Sequence, residues 1–306
     1  TDALATPLPF FHVAGLDLAL STLSAAGTVV IPDGPDVPST WAAVERHGAT
    51  IVQTLGSYRK LLRKAPRDLH RLRGIYGNSR WDSELDQLPA EFSIWTGYGS
   101  TELCGFAVGH NRATLAASPG TIGRPMLGYA ATVVDERDRP VARGAVGELL
   151  MRGPALTTGY WGLPDASADA LRGGWLHTGD LVEVREDGTL RFADRLKDMV
   201  KPGGENVYCI EVEEALAACP GVLEVAVIGV PDPRWGEAVK AVVAVRPDVT
   251  VEQLDAWALE RLAPYKRPRW YEFVDALPRN ALSKVVKTDL RAAHDEHSSI
   301  RLPERS

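Results

Sequence analysis

Ser93-Ile94-Trp95-Thr96-Gly97-Tyr98-Gly99-Ser100-Thr101-Glu102 leads from a short β-rich segment into a glycine-rich turn, and the fold follows from how it is read. In an open α/β sheet, ligands sit beyond the carboxyl ends of the strands. A glycine turn there brings backbone N–H groups, a hydroxyl and a carboxylate up to a phosphate. The plainer reading is an ordinary glycine turn with Thr101 capping a helix. Upstream, β-rich runs at 28–31, 50–55 and 74–76 alternate with helix-like runs at 38–47, 58–64 and 83–88. Strand and helix in turn at this spacing predict βαβ units and a parallel sheet. Downstream, glycine-punctuated strands such as 131–135 and 147–152 predict a small antiparallel unit, joined through the turn-like Glu136-Arg137-Asp138-Arg139-Pro140.

A second α/β module is expected after Arg195. Residues 211–219 read as a helix, and 223–230 and 238–245 as strands. Thr250 and Gln253 have the spacing of a capping box for a helix running to about Leu262, which Pro264 and Pro268 stop. The polar tail from His294 is expected to fray. The predicted organisation is α/β. Residues 1–195 form part of a large domain, with a parallel α/β sheet region at 1–119 and a β-rich subdomain at 120–195. Residues 196–306 form a small α+β domain.

Further segments bear on chemistry. In Gly174-Trp175-Leu176-His177-Thr178-Gly179-Asp180, an Asp at a tight turn can accept from both hydroxyls of a ribose, although Gly-Asp turns are common. The stretch from Asp194 to Glu213 joins a charged connector to the Gly203-Gly204 loop. Read plainly it is a solvated link between domains; read functionally it is a hinge followed by a loop whose backbone approaches a ligand. Leu277-Pro278-Arg279-Asn280-Ala281-Leu282-Ser283-Lys284-Val285-Val286-Lys287 is a basic loop. A lysine in it can stabilise charge on a carboxylate turning into an acyl phosphate, though most such lysines are merely solvated. His12, in Pro9-Phe10-Phe11-His12-Val13-Ala14-Gly15, is a lone histidine among apolar residues, a type more often found satisfied in a core.

Together with Gly147-Glu148-Leu149-Leu150-Met151-Arg152-Gly153, these segments occur in the order that resembles the adenylate-forming (ANL) superfamily, of the acyl-CoA synthetase and ligase type, relatives of luciferase and of peptide-synthetase adenylation domains. The resemblance covers nearly the whole chain and implies a role for each position. Tyr98 would pack on adenine beside Gly99, Thr101 would bind the α-phosphate and Glu102 would hold Mg²⁺. Asp180 and Arg195 would take the ribose hydroxyls. Lys197 would be the hinge of a small mobile C-terminal domain, and Lys284 would bridge carboxylate and α-phosphate. His12 would gate an acyl pocket whose candidate walls are Trp95, Gly97, Cys104 and Phe106, fitting an aromatic or an aliphatic acid. Gly203 and Gly204 would lie beside the pantetheine tunnel, and Gly-Gly-Glu-Asn-Val-Tyr resembles CoA ligases more than carrier-protein domains. ATP (or AMP), Mg²⁺ and CoA are the ligands so implied, with acyl-AMP as intermediate.

The sequence departs from the family pattern in three places. Cys209 stands where Pro is common and Ser283 where Gly is common. Upstream of Phe11-His12 nothing matches the Ser/Thr/Gly-rich phosphate loop that cradles the β- and γ-phosphates. The expectation is therefore an enzyme incomplete without an upstream segment, self-associating or binding a complementary chain through an exposed sheet edge. The alternative is a naturally short, non-adenylating homologue acting as a binding module, or on preformed acyl-adenylate or acyl-thioester.

Composition narrows the partners. The 306 residues carry 34 Lys+Arg against 40 Asp+Glu, a net charge of -6, which gives no broad basic field for nucleic acid or an anionic membrane. The apolar stretch 13–31 is broken by Asp17 and lacks a basic lead, so neither a span nor a signal peptide is expected. Cys104, Cys209 and Cys219 form no C-x-x-C pair and suit a reducing compartment, so the cytoplasm is the expected location.

Overall fold

The computed structural model describes residues 2–53, 71–77, 91–280, 284–295 and 298–302. The helix-like runs at 58–64 and 83–88, and Ser283, lie outside the described residues. The chain divides into two compact units, Thr1–Thr178 with Val182–Phe192, and Gly179–Leu181 with Ala193–Ser306.

The first unit is built on a seven-stranded sheet. Strands β1 (Ala3–Ala5), β2 (Thr28–Val30), β3 (Ile51–Gln53), β4 (Gly74–Gly77) and β5 (Ser93–Ser100) are parallel, in the order β2-β1-β3-β4-β5. Antiparallel β6 (Gly105–Asn111) and β7 (Arg124–Pro125) complete it. Helix α1 (Val13–Ser24) follows β1 and α2 (Val37–His47) follows β2. Helix α2 forms where the sequence says it should: Asp36 Oδ1 accepts the Ser39 N–H at 2.9 Å, Pro38 occupies the first turn, and Gly48, at φ +61°, ends it. Its Trp41 and Val44 bury against Val30, Val52, Ile75 and Ile94 of the sheet. A short helix α3 (Arg112–Ala117), capped by Asn111, adds Leu115 to that core.

The β-rich subdomain is a sheet of β8 (Ala130–Val134), β9 (Val146–Arg152), β10 (Leu176–Val184) and β11 (Leu190–Arg195), in the order β11-β10-β9-β8, with helix α4 (Pro164–Ala170) between β9 and β10. Val133, Leu149, Met151, Leu176, Val182 and Leu190 bury together with Leu103 and Val108 of the β5–β6 region.

The second unit carries helix α5 (Cys209–Ala217), strands β12 (Val222–Asp232) and β13 (Gly236–Val245), helix α6 (Val251–Arg261), strand β14 (Trp270–Phe273), helix α7 (Lys287–Ala292) and strand β15 (Ile300–Arg301). Alternation along β12 and β13 sends Val227, Val239, Ala241 and Val243 to one face, under Val212 and Leu216 of α5 and Leu254 and Ala258 of α6. Ala226, Ile228, Val230 and Val242 go to the other, with Trp270 and Leu290. A sheet covered on both faces explains why these strands read as nearly unbroken apolar runs. The tail does not simply fray: Tyr271 and Trp270 of β14 pair with Ile300 and Arg301.

Candidate functional site

The glycine-rich segment is not a turn after a strand. Strand β5 continues to Ser100 and pairs antiparallel with β6 through Gly97, Tyr98, Gly99 and Ser100. Main-chain approach dictates the glycines. A Cβ on Gly97 would meet the Val108 carbonyl oxygen and the Phe106 ring, and one on Gly99 would meet the Gly105 carbonyl. The register shifts between Tyr98 and Gly99, the mark of a bulge that re-aims the strand end. Thr101 therefore caps no helix; it is exposed and opens the hairpin turn, closed by Cys104 N–H donating to its carbonyl at 3.1 Å. Exposed Cys104 sits in that turn at φ +53°.

Glu102, at the tip, is tied twice. Its carbonyl accepts the Thr157 N–H at 2.8 Å, and its carboxylate accepts the Tyr160 hydroxyl at 2.9 Å. Burial, then the Glu102 bond and charge, hold the Tyr160 phenol above its ordinary pKa, so it stays a donor. Tyr98 is half-buried, its ring 6.4 Å from that of Phe192.

Trp95 and Gly97 point to one face of the sheet, and the cross-strand register puts Tyr76 and Phe106 on that face too, their rings 5.0 Å apart edge to face. Asp17 of α1 reaches this neighbourhood; a Cβ on Gly105 would strike its carboxylate. Burial raises the Asp17 pKa, and burial together with the Asp17 charge pushes Tyr76 far up, keeping its hydroxyl neutral. His12 is neither in a core nor bare: its Nδ1 accepts the Ala14 N–H at 3.2 Å, capping α1.

In the second unit, Asp180 lies within strand β10, not in a turn, behind Gly179 at φ +68°. It is buried and ion-paired with Arg195 Nε at 3.3 Å. The stretch read as a charged connector is not simply solvated, since Asp194 and Asp198 are both buried. Asp194 accepts the Arg195 N–H at 2.8 Å and also the Cys209 N–H, and burial lifts its pKa in spite of them. Lys197 is exposed in a turn closed by Asp198 N–H on the Arg195 carbonyl at 2.9 Å. Gly203, at φ +61°, donates its N–H to the Trp235 carbonyl at 2.8 Å, and a Cβ there would press on the Trp235 ring; Gly204, at φ +88°, faces open space. Lys284 is exposed in a loop cinched by Asn280 N–H on its carbonyl at 3.0 Å and by its own N–H on Asn280 Oδ1 at 3.1 Å. Tyr98, Thr101, Glu102 and the aromatic face thus belong to the first unit, and Asp180, Arg195, Lys197, Gly203, Gly204 and Lys284 to the second.

The sequence reading missed Tyr76, Asp17 and Tyr160. For Tyr160 a signal existed, the Thr158-Gly159-Tyr160-Trp161-Gly162 turn; for Asp17 and Tyr76 the neighbours lie on separate elements and no local pattern joins them.

As for a metal, no group of three or more His, Cys, Asp or Glu side chains able to hold one converges among the described residues. An ion at the Glu102 carboxylate would complete its shell with phosphate and water, the habit of Mg²⁺. The donor set therefore fits that ion.

A two-part α/β chain with a glycine-built hairpin ending in Thr101-Glu102 and a small unit carrying a lysine loop has the make-up of the adenylate-forming class. The chain belongs to the AMP-binding enzyme family: that family matches residues 1–161, and the AMP-binding enzyme C-terminal domain matches 211–284. It is 38% identical over 293 residues to a feruloyl-CoA synthase of an Amycolatopsis species, covering 92% of this chain and 60% of that protein. It is 34% identical over 298 residues to the long-chain-fatty-acid–CoA ligase FadD13 of Mycobacterium tuberculosis, covering 95% and 59%. Among solved structures it is similar to o-succinylbenzoate CoA synthetase of Bacillus subtilis in complex with its acyl-adenylate intermediate, at a TM-score of 0.87 and 28% identity over 96% of this chain and 61% of that one; the same enzyme is known with ATP and a magnesium ion. The chain thus spans about three-fifths of the length of these relatives. No helix among the described residues is long and apolar enough to cross a membrane.

Proposed function

We propose that this chain supplies the carboxyl-terminal part of an ATP-dependent carboxylate–CoA ligase that works through an acyl-AMP. The observation that carries the reading is Glu102, held by Tyr160 and by its own carbonyl at the tip of a hairpin whose glycines leave no side chain in the way. In the first step a carboxylate oxygen attacks the α-phosphorus, the bond to the β-phosphate oxygen breaks and pyrophosphate leaves. In the second the CoA sulfur, losing its proton, attacks the acyl carbonyl and AMP departs. Both are mainly problems of positioning and charge. Thr101 donates to an α-phosphate oxygen, and Asp180 with Arg195 holds the ribose. Lys284, exposed beside Asn280, neutralises charge between carboxylate and phosphate. A magnesium ion on Glu102 supplies further neutralisation when bound. The aromatic face of Trp95, Phe106 and Tyr76 with His12 accepts the acyl group, Cys104 flanks it from the turn, and Gly203 and Gly204 lie beside the path for pantetheine. Lys197 is the hinge.

Association completes the proposal. Phe11 is 79% and Ile31 63% exposed, and Leu16, Leu20 and Leu23 of α1 are also exposed, next to β2, which ends its sheet. That surface and edge support docking of a complementary segment carrying the phosphate loop, or of a second copy.

The role of Lys284 is tested by Lys284→Ala in the chain joined to such a segment. Acyl-AMP formation should fall by at least ~100-fold, as on losing one oriented charge donor, while thioester formation from supplied acyl-AMP changes little. Equal loss in both steps contradicts the assignment.

A further inference from the structure

The carboxyl-terminal tail reaches a hairpin tip far from it in sequence. Strands β12 and β13 turn between Asp232 and Gly236, and the Asp232 carboxylate, 1% exposed, shapes that turn. Its Oδ1 accepts the Arg234 N–H at 2.9 Å and the Trp235 N–H at 3.0 Å, the pattern of an Asx turn. Its Oδ2 accepts from the Arg301 guanidinium of β15 at 3.1 Å. One residue on, the Leu302 N–H donates to the Arg269 carbonyl at 3.0 Å, and the Arg269 guanidinium lies 5.6 Å from the centre of the Trp235 ring. Two short routes thus lead from the tail to Trp235.

Trp235 in turn seats the glycine loop. Its carbonyl accepts the Gly203 N–H, its ring lies where a Cβ on Gly203 would strike it, and the Lys201 N–H binds Glu237 Oε2 at 2.8 Å just past the tip. Strand β15 has two residues, so its own ladder adds little to the sheet. What it supplies is a cation to a buried carboxylate, and removing one partner of such a pair leaves an uncompensated charge out of water. We infer that Arg301, acting through Asp232, is a positioning residue that holds the Trp235 tip, and with it the Gly203 and Gly204 loop, in one geometry, and so sets the affinity for the thiol substrate. The link to the thiol rests on the proposed place of Gly203 and Gly204 beside the path for pantetheine.

Hydrogen exchange of backbone amides in the full chain tests the link without requiring catalysis. Arg301→Gln should speed exchange in 201–207 and 232–237 by roughly tenfold and leave 251–261 unchanged, and Arg301→Lys, which keeps the charge, should restore protection. Should Arg301→Gln loosen the tail as a whole, Asp232→Asn probes the same contact from its other end while keeping the acceptor of the turn. Faster exchange confined to 300–302, or a 201–207 segment as protected as before in both variants, overturns the inference. In the chain joined to a segment that carries a phosphate loop, Arg301→Gln should raise KM for CoA by roughly fivefold or more at unchanged kcat in thioester formation from supplied acyl-AMP, the mark of lost ground-state binding, with Arg301→Lys restoring it. Faster exchange in 201–207 with an unchanged KM for CoA supports the link and counts against the pantetheine reading of the glycine loop, so the two ideas fail separately.

Discussion

The three cysteines are alike in sequence and differ in their surroundings. Cys104 is exposed in the hairpin turn, whereas Cys209 is fully buried at the start of α5, its Sγ 2.9 Å from the Asp198 carbonyl oxygen. Burial pushes the Cys209 thiol up to about 12, so it stays protonated and inert. Iodoacetamide under native conditions should label Cys104 and spare Cys209 until the chain is unfolded; native labelling of Cys209 contradicts the burial. The same neighbourhood sets a pH dependence. Burial pulls the Lys287 ammonium down, but the Glu213 carboxylate together with neighbouring negative groups, Asp194 among them, leaves the group above its ordinary 10.5. Both groups thus have a folded pKa above the unfolded one, 9.0 for the thiol and 10.5 for the amine. Their contribution is intact below those values and is lost as pH rises through the folded ones. Urea denaturation of the second unit should show stability falling from about pH 9 upward, more shallowly in Cys209→Ala and Lys287→Met; a slope unchanged in both variants contradicts this.

The β5–β6 hairpin and helix α6 show which elements a sequence discloses. The capping box of α6 was legible because it is local: Gln253 N–H on Thr250 Oγ1 at 3.4 Å, and Thr250 N–H on Gln253 Oε1 at 2.9 Å. Helix α2 with the parallel strands β2, β3 and β4 of the first unit, and the apolar strands β12 and β13, were legible for the same reason. The extent of β5 was not, because glycine read alone favours a turn, whereas the close antiparallel approach of β6 holds Gly97 and Gly99 extended. Nor was the burial of Asp194 and Asp198, whose partners, Cys209 at the start of α5 and Arg291 in α7, are not local in sequence. Of the proposed site, Thr101, Glu102, Asp180, Arg195 and Lys284 enter through their sequence motifs, while Tyr76 and Tyr160 required the fold. Gly99→Ala follows from this account. A methyl forced onto the Gly105 carbonyl should cost about 1–3 kcal/mol by chemical denaturation, and a variant as stable as the parent would mean that the strands do not approach so closely.

Each of the two units has a core of its own, and the proposed chemistry needs residues from both. The first unit also presents an exposed apolar strip around α1 and the sheet edge at β2, the surface on which the proposed docking of a segment carrying a phosphate loop rests. Carboxylic-acid-dependent ATP–pyrophosphate exchange tests this most directly, followed for the chain alone and after adding a segment that carries a phosphate loop, with light scattering alongside. The account predicts an associating chain without exchange when alone, a complex with the added segment, and exchange restored in it. A monomeric chain that catalyses exchange unaided would contradict it.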